Sequence, residues 1–317
     1  MSGLGGHKDT VVAGVATSRF LNVMIAADTL LIFIAASLTK PMQPVLDGFR
    51  AQTGIVIQRE SGASLEHVRK ITELHRIPDL VLLADAEIIP QLLVPAYATW
   101  SADFARNRMV LAYTDRSRFA KEITADNWMQ VVRRPGVEVG RTDPDLAPVG
   151  YRTLLMFQLA EQYYRQHSLA SSLLDHAPKR NTRPNAAELA ALLEAGELDY
   201  IYDYQSVAES NRFRFVALPD AINLGDPARA SDYAAASVSV RGTAPGTSVI
   251  FKGQPILYGL TIPKDAPHAS AAVRFLTYLM SPETLRALHA AHIDMLDRPV
   301  VHGTGAPPEL TRGGSGR

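Results

Sequence analysis

The chain contains no cysteine. Disulfides, thiolate metal sites, thiol nucleophiles and a lipid anchor on cysteine are therefore excluded. That absence fits an oxidising compartment without requiring one. The chain also lacks net charge, with 32 Lys plus Arg against 32 Asp plus Glu, so nothing in the balance favours nucleic acid or another polyanion as a partner. No apolar run approaches the roughly 20 residues of a membrane helix. The 9 histidines form no HExxH or paired HxH arrangement, and a bound metal cation is not expected. No GxSxG elbow occurs, and the glycines at Gly3–Gly6 precede any strand, so they do not make a phosphate loop. Without an acid–base or nucleophile constellation, neither catalysis nor a cofactor is expected.

What remains is a globular chain of 317 residues, 47% hydrophobic and 20% charged, long enough for two domains. It is organised around Thr29–Arg50. Leu30–Ala36 is a continuous apolar run, too short to span a membrane, and reads as a strand buried on both faces. Ser37 follows, where a helix N-cap belongs, and Met42, Val45, Leu46 and Phe49 recur at helical spacing. Pro41 and Pro44 fall early in that helix. A strand feeding a helix start presents free backbone N–H groups at the positive end of the dipole, a seat for an anion. The same residues also describe an ordinary capped turn. The device recurs at Ser61-Gly62-Ala63-Ser64, where Ser64 precedes a helix carrying Leu65, Val68 and Leu74.

Further strands are expected at Ile55–Ile57, Asp79–Leu83, Met109–Thr114, Val137–Gly140, Leu198–Tyr204, Phe213–Val216 and Ile256–Pro263. Helices are expected at Glu87–Leu93, Trp128–Val132, from Pro148 through Tyr164, at Ala186–Ala195 with Gly196 as cap, Gln205–Ser210, His268–Met280 and Pro282–Ala291. Residues 167–187 read as a loop, and 226–240 as a polar stretch with Tyr233 packed inward. Alternating strands and helices predict an α/β fold with parallel sheet. The chain leaves a first lobe near Tyr113 and returns near Pro255, so two crossings frame a cleft. The expected division is a leader or signal remnant at 1–28, lobe 1 at 29–112 and 256–302, lobe 2 at 113–255, and a flexible tail at 303–317.

ARNRMVLAYTDRS, NWMQVVRRPGVEVG, PVGYRTLLMFQLAEQYY, ALLEAGELDYIYDYQSVA, LPDAINLG and GQPILYGLTIPKDAPH together resemble the tungstate/molybdate-binding proteins of ABC transporters. The archaeal-type tungstate binders match more closely than the shorter bacterial molybdate binders. The resemblance runs over residues 29–300. It implies a type II periplasmic binding protein, two α/β lobes joined by a two-segment hinge, extracytoplasmic and delivering an oxyanion to an ABC permease. A monomer is the expectation.

The family holds its oxyanion with serine hydroxyls and backbone N–H groups. Ser37 of AASL and Ser64 of GASLEHVRK stand at the matching positions. The archaeal-type proteins add an Asp before the Pro of a DPCGYR-like motif and a Glu in an FEYKSVA-like strand, and these expand the metal centre to six-coordination. Here the first position is Ala147, in LAPVGYR, and the second is Asp203, in YDYQSVA. Ala147 has no ligand to give, and Asp203 is one methylene shorter than Glu. A tetrahedral oxyanion held mainly by hydrogen bonds is therefore expected, with the Val149 N–H among the donors and Asp203 as the one carboxylate in position to ligate the anion's metal. Asp143 or Asp145 could replace the lost carboxylate only in a rebuilt loop. Tungstate or molybdate is the first expectation. Sulfate or a related tetrahedral anion, and a cytosolic oxyanion sensor on the same fold, are the alternatives.

Overall fold

The computed structural model describes Met1, residues 29–244 and residues 246–311. Strand β1 (Thr29–Ala35) is buried from Ile32 through Ile34, as a strand covered on both faces must be. A 3-10 turn (Ala36–Leu38) leads into α1 (Thr39–Thr53), which contains Pro44 and ends at Gly54 with φ 73°. The buried face of α1 is Pro41, Met42, Val45, Leu46 and Phe49. Then come β2 (Val56–Gly62), α2 (Ser64–Thr72), β3 (Leu80–Leu83), α3 (Ile88–Leu92) and β4 (Trp100–Asn107). The second lobe begins with β5 (Met109–Tyr113) and α4 (Trp128–Val131), followed by β6 (Val139–Thr142), α5 (Pro148–Tyr164), α6 (Leu169–Asp175) and β7 (Thr182–Arg183). It continues through α7 (Ala186–Ala195), β8 (Tyr200–Tyr204), α8 (Gln205–Ser210), β9 (Arg214–Ala217) and α9 (Ala230–Tyr233) to a ribbon of β10 (Ser237–Arg241) and β11 (Ser248–Lys252). The chain closes with β12 (Ile256–Thr261), α10 (Ala269–Leu279), α11 (Pro282–Ala290), β13 (Asp294–Gly303) and α12 (Pro308–Thr311).

Two sheets form the lobes. A six-stranded sheet runs β13-β4-β12-β3-β1-β2, and a five-stranded sheet runs β7-β6-β8-β5-β9. The expected parallel arrangement holds only in part. β2, β1 and β3 are parallel, but β12 lies antiparallel to β3 and β4, and β13 antiparallel to β4. β5 belongs to the five-stranded sheet, so the first crossing lies between Asn107 and Met109, ahead of the polar DRSRF segment. The returning strand β12 sits in the six-stranded sheet. The stretch 167–187, expected as loop, holds α6 and β7; the stretch after Gly303 continues into α12. The leader expected at residues 2–28 lies outside the described residues, as does the end of the tail from residue 312. Among the described residues no helix is long and apolar enough to cross a membrane.

One apolar cluster runs through both lobes, and a smaller one lies on the other face of the five-stranded sheet, formed by Val110, Ala112, Leu189, Leu193, Leu198, Ile201 and Ala208. Strand alternation divides β8 between them. Tyr200, Tyr202 and Tyr204 face the large cluster and Ile201 the small one.

Candidate functional site: a cavity of helix starts

Ligands of open α/β sheets bind beyond the carboxyl ends of the strands. Here the ends of β1, β2 and β3 supply Ala35, Gly62 and Ala84 to a cavity between the lobes. Ser37 enters from the 3-10 turn, Ser64 from the first residue of α2, Ala147, Pro148 and Val149 from the start of α5, Asn185 and Ala186 from the start of α7, and Tyr204 from the end of β8. Helical segments thus point their N-termini at one spot from both lobes. First-turn N–H groups have no partner inside their own helix, so the wall is rich in donors and carries the positive ends of several dipoles. No Asp, Glu, Lys or Arg lines it. The free volume is about 10 Å³, room for about one water. Loading a four-oxygen anion therefore requires the lobes to sit further apart than here.

Neither serine is an N-cap. Leu38 and Ala63 hold the cap positions of α1 and α2, without side-chain cap bonds. The hydroxyls do something else. Ser37 Oγ accepts from the Tyr258 hydroxyl at 3.1 Å. Ser64 Oγ accepts from Ala84 N–H at 3.1 Å. Tyr204 Oη accepts from Arg152 Nη1 at 2.7 Å. Each hydroxyl has one acceptor lone pair engaged by a fixed protein donor, and its own proton is still available to donate.

Beneath the cavity, Arg152 of α5 and Asp85 after β3 form a fully buried ion pair across the lobes at 3.1 Å. Arg152 Nη1 also donates to Ala84 O, and the Tyr151 hydroxyl donates to Asp85 Oδ2. Burial disfavours the charge on Arg152, but the Asp85 carboxylate and the hydroxyls of Tyr204 and Tyr151 outweigh it and raise its pKa above the ordinary value. Leu65 N–H donates to Leu146 O at 3.0 Å and Arg69 Nη2 to Arg241 O at 2.9 Å, so α2 also bridges the lobes.

The expected residues separate. Ser37, Ser64, Ala147 and Val149 share one cavity. Asp203 does not line it. Strand alternation puts it on the Ile201 face of β8, fully buried, while its neighbour Tyr204 reaches the cleft. Asp203 Oδ1 accepts from Tyr204 N–H at 2.7 Å and Oδ2 has no partner. Burial pushes this carboxyl up to about 8, against that single hydrogen bond. Expected as a ligand of the anion's metal, Asp203 thus lies with its side chain on the face of β8 away from the cavity. Ala147 is the N-cap of α5 and offers only a methyl. Asp143 and Asp145 do not substitute, because their carboxylates accept Asp145 N–H and Arg241 N–H within the adjoining loop and ribbon. Tyr204, Asn185 and Ala186 were not singled out from sequence. Tyr204 reads as packing by alternation, and only tertiary structure turns the start of α7 inward.

Two lobes with a donor-lined cavity between them define a solute-binding protein. The chain belongs to the bacterial extracellular solute-binding protein family, whose profile matches residues 30–293. It is 42% identical over 268 residues to an uncharacterised solute-binding protein of Petrotoga mobilis, covering 83% of this chain and 84% of that one. It is 34% identical over 322 residues to the molybdate/tungstate-binding protein WtpA of Thermococcus kodakarensis, covering 93% of this chain and 90% of that one. In three dimensions it matches the sulfate-binding protein SubI of Mycobacterium tuberculosis H37Rv with a TM-score of 0.60 at 16% identity, over 90% of this chain and 89% of that one. The fold is that of the type II periplasmic binding proteins.

Proposed function

We propose that the protein captures molybdate or tungstate in the interlobe cavity, outside the cytoplasm, and delivers it to an ABC transporter permease. The observation that carries this reading is the convergence of helix starts and the hydroxyl residues Ser37, Ser64 and Tyr204 on a cavity with no lining charge. Uncharged donors in a dry site stabilise a dianion without titrating. The WtpA relative extends the reading to metal oxyanions. With Ala147 mute and Asp203 turned away, the anion keeps its four oxygens and is held by hydrogen bonds alone. The lobes open about the crossings near Asn107 and Pro255 to admit it.

Sulfate is the second reading, favoured by the uncharged lining of the cavity, whose helix-start donors fit any tetrahedral dianion. Calorimetric titration with tungstate, molybdate and sulfate separates the two. Tungstate or molybdate is expected to bind at least about tenfold tighter than sulfate, about 1.4 kcal/mol. Equal or reversed affinities reject the metal-oxyanion reading.

A further inference from the structure

Away from the oxyanion cavity, the hinge carries a second cavity of about 310 Å³, at the lower end of the range for small-molecule sites. Its floor is the first crossing, Arg106-Asn107-Arg108. Asn107 is turned inward, and its Nδ2 donates to Ser206 Oγ at 2.7 Å and to Tyr258 Oη at 3.0 Å. Alternation along an extended segment then sends the exposed side chains of Arg106 and Arg108 together to the other side. The two arginines are anchored to different lobes. Arg106 lies in β4, between Leu257 of β12 and Asp294 of β13 in the six-stranded sheet. Arg108 is fixed to the second lobe: its carbonyl accepts from Gln205 N–H at 3.0 Å, and its side chain packs over Gly225, where a Cβ would lie 2.7 Å from Arg108 Cβ. Among the described residues no hydrogen bond or ion pair engages either guanidinium. Two carboxylates also line the cavity. Glu209 accepts from Gln205 Nε2 at 2.8 Å and faces His292 Nδ1 at 3.6 Å. Asp294 neighbours Arg106 across the strands without pairing to it. Two fork-shaped cations therefore face one cavity with only Asp294 free to oppose them.

We propose that this hinge cavity is a second binding site, for a small dicarboxylate that joins Arg106 of one lobe to Arg108 of the other and so favours the closed form. A guanidinium fork takes a carboxylate through two parallel hydrogen bonds. Two such forks on one cavity repel each other, and a diacid between them replaces that repulsion with two attractions. Because the forks are anchored to different lobes, their spacing changes with the angle between the lobes. A ligand that bridges them holds the spacing seen here, with the oxyanion cavity shut. The floor of the hinge cavity also reaches the cleft, since Tyr258, which Asn107 contacts, donates to Ser37 Oγ at 3.1 Å. Linkage then requires each ligand to strengthen the binding of the other by the same factor. The site stands on its own residues; its coupling to the cleft rests on the oxyanion reading above.

The test is calorimetric titration at neutral pH with succinate, whose two carboxylates are then ionised, and with acetate, which has one. Wild type is expected to bind succinate at least about tenfold tighter than acetate, because only the diacid reaches both forks. Arg106→Gln and Arg108→Gln, both at exposed positions, should each weaken succinate about tenfold or more, the scale of hydrogen bonds between charged groups. Asp294→Asn should tighten it. Molybdate is then titrated with and without saturating succinate, and its affinity is expected to rise about fivefold or more in wild type and to stay level in the two arginine variants. A wild type that does not bind succinate, or arginine variants that bind it as wild type does, overturns the site. Succinate that weakens molybdate equally in wild type and the arginine variants is competing in the cleft and also overturns it. Succinate that needs both arginines but leaves molybdate unchanged overturns the coupling. A wild type that takes succinate and not molybdate overturns the oxyanion reading and leaves the hinge site standing.

Discussion

At the residue scale, Asp203 shows how one strand position decides between ligand and buried acid. Sequence places a carboxylate at the end of β8; alternation decides which face receives it, and the apolar cluster of Ile201 and Leu189 lies on that side. The consequence is a titration, not a contact. The folded-state pKa of about 8 lies above the ordinary 3.8, so the folded protein holds a proton that the unfolded chain releases. Stability from this site is full at low pH and is lost as pH rises toward about 8. Asp203→Asn keeps the shape and removes the charge. Thermal unfolding at about pH 5 and about pH 9 should show wild type losing more stability than the variant on going up, on the order of a few kcal/mol. Parallel losses in the two proteins would mean that Asp203 ionises freely. Ser37 and Ser64 teach the complement. Their place at the cleft is legible in the strand–serine–helix order, but the hydrogen bonds they accept come from Tyr258 and Ala84, which sequence spacing does not bring near.

At the element scale, the helix starts matter more than the helices. β1 with α1, β2 with α2, and the helix opening at Pro148 are legible because each joins a hydrophobic period to a small-residue turn. β4 escapes because a strand buried everywhere but at Arg106, yet carrying Ser101, Asp103 and Asn107, shows no alternation. The ribbon β10–β11 does alternate, as SVSV, but its strands are joined by the longer stretch Gly242–Thr247 and not by a two-residue turn signal. Leu74, expected on the buried face of α2, lies beyond its end and is exposed; Ile71 takes that place. Gly150 sets how closely α5 approaches the loop before it. A Cβ there would lie 2.7 Å from backbone atoms of Thr142 and Asp143, a contact that only backbone movement relieves. Gly150→Ala should therefore push the 143–147 loop off the start of α5 and weaken oxyanion binding. The expected loss is at least about tenfold, with a stability loss of about 1–3 kcal/mol for overpacking. Unchanged binding would show that the Val149 edge is not part of the site.

At the scale of the whole molecule, the question is what holds two lobes together over so small a cavity. The hydrogen bonds along the seam are ordinary; the Asp85–Arg152 pair is not, being buried and joining opposite lobes. Removing one member of a buried pair leaves an unpaired charge, a penalty of about 3–5 kcal/mol that a protein with a hinge can relieve by opening. Asp85→Asn should thus show a larger radius of gyration in small-angle scattering without ligand, together with weaker molybdate binding. An unchanged scattering curve would mean that closure is set elsewhere. The two-lobe plan was legible in the sequence from the order of elements and the two crossings. The latch was not: Arg152 reads as a partner for some carboxylate, but which lobe supplies it is a fact of the closed fold.

The most direct test is the position of the bound metal. Crystals grown with tungstate and measured at a tungsten absorption edge should give one strong anomalous peak between Ser37, Ser64 and the Val149 N–H, with four oxygens around it and no carboxylate oxygen from Asp203 in its coordination sphere. A peak elsewhere, or a tungsten centre bonded to a protein carboxylate, would contradict an account built on uncharged donors.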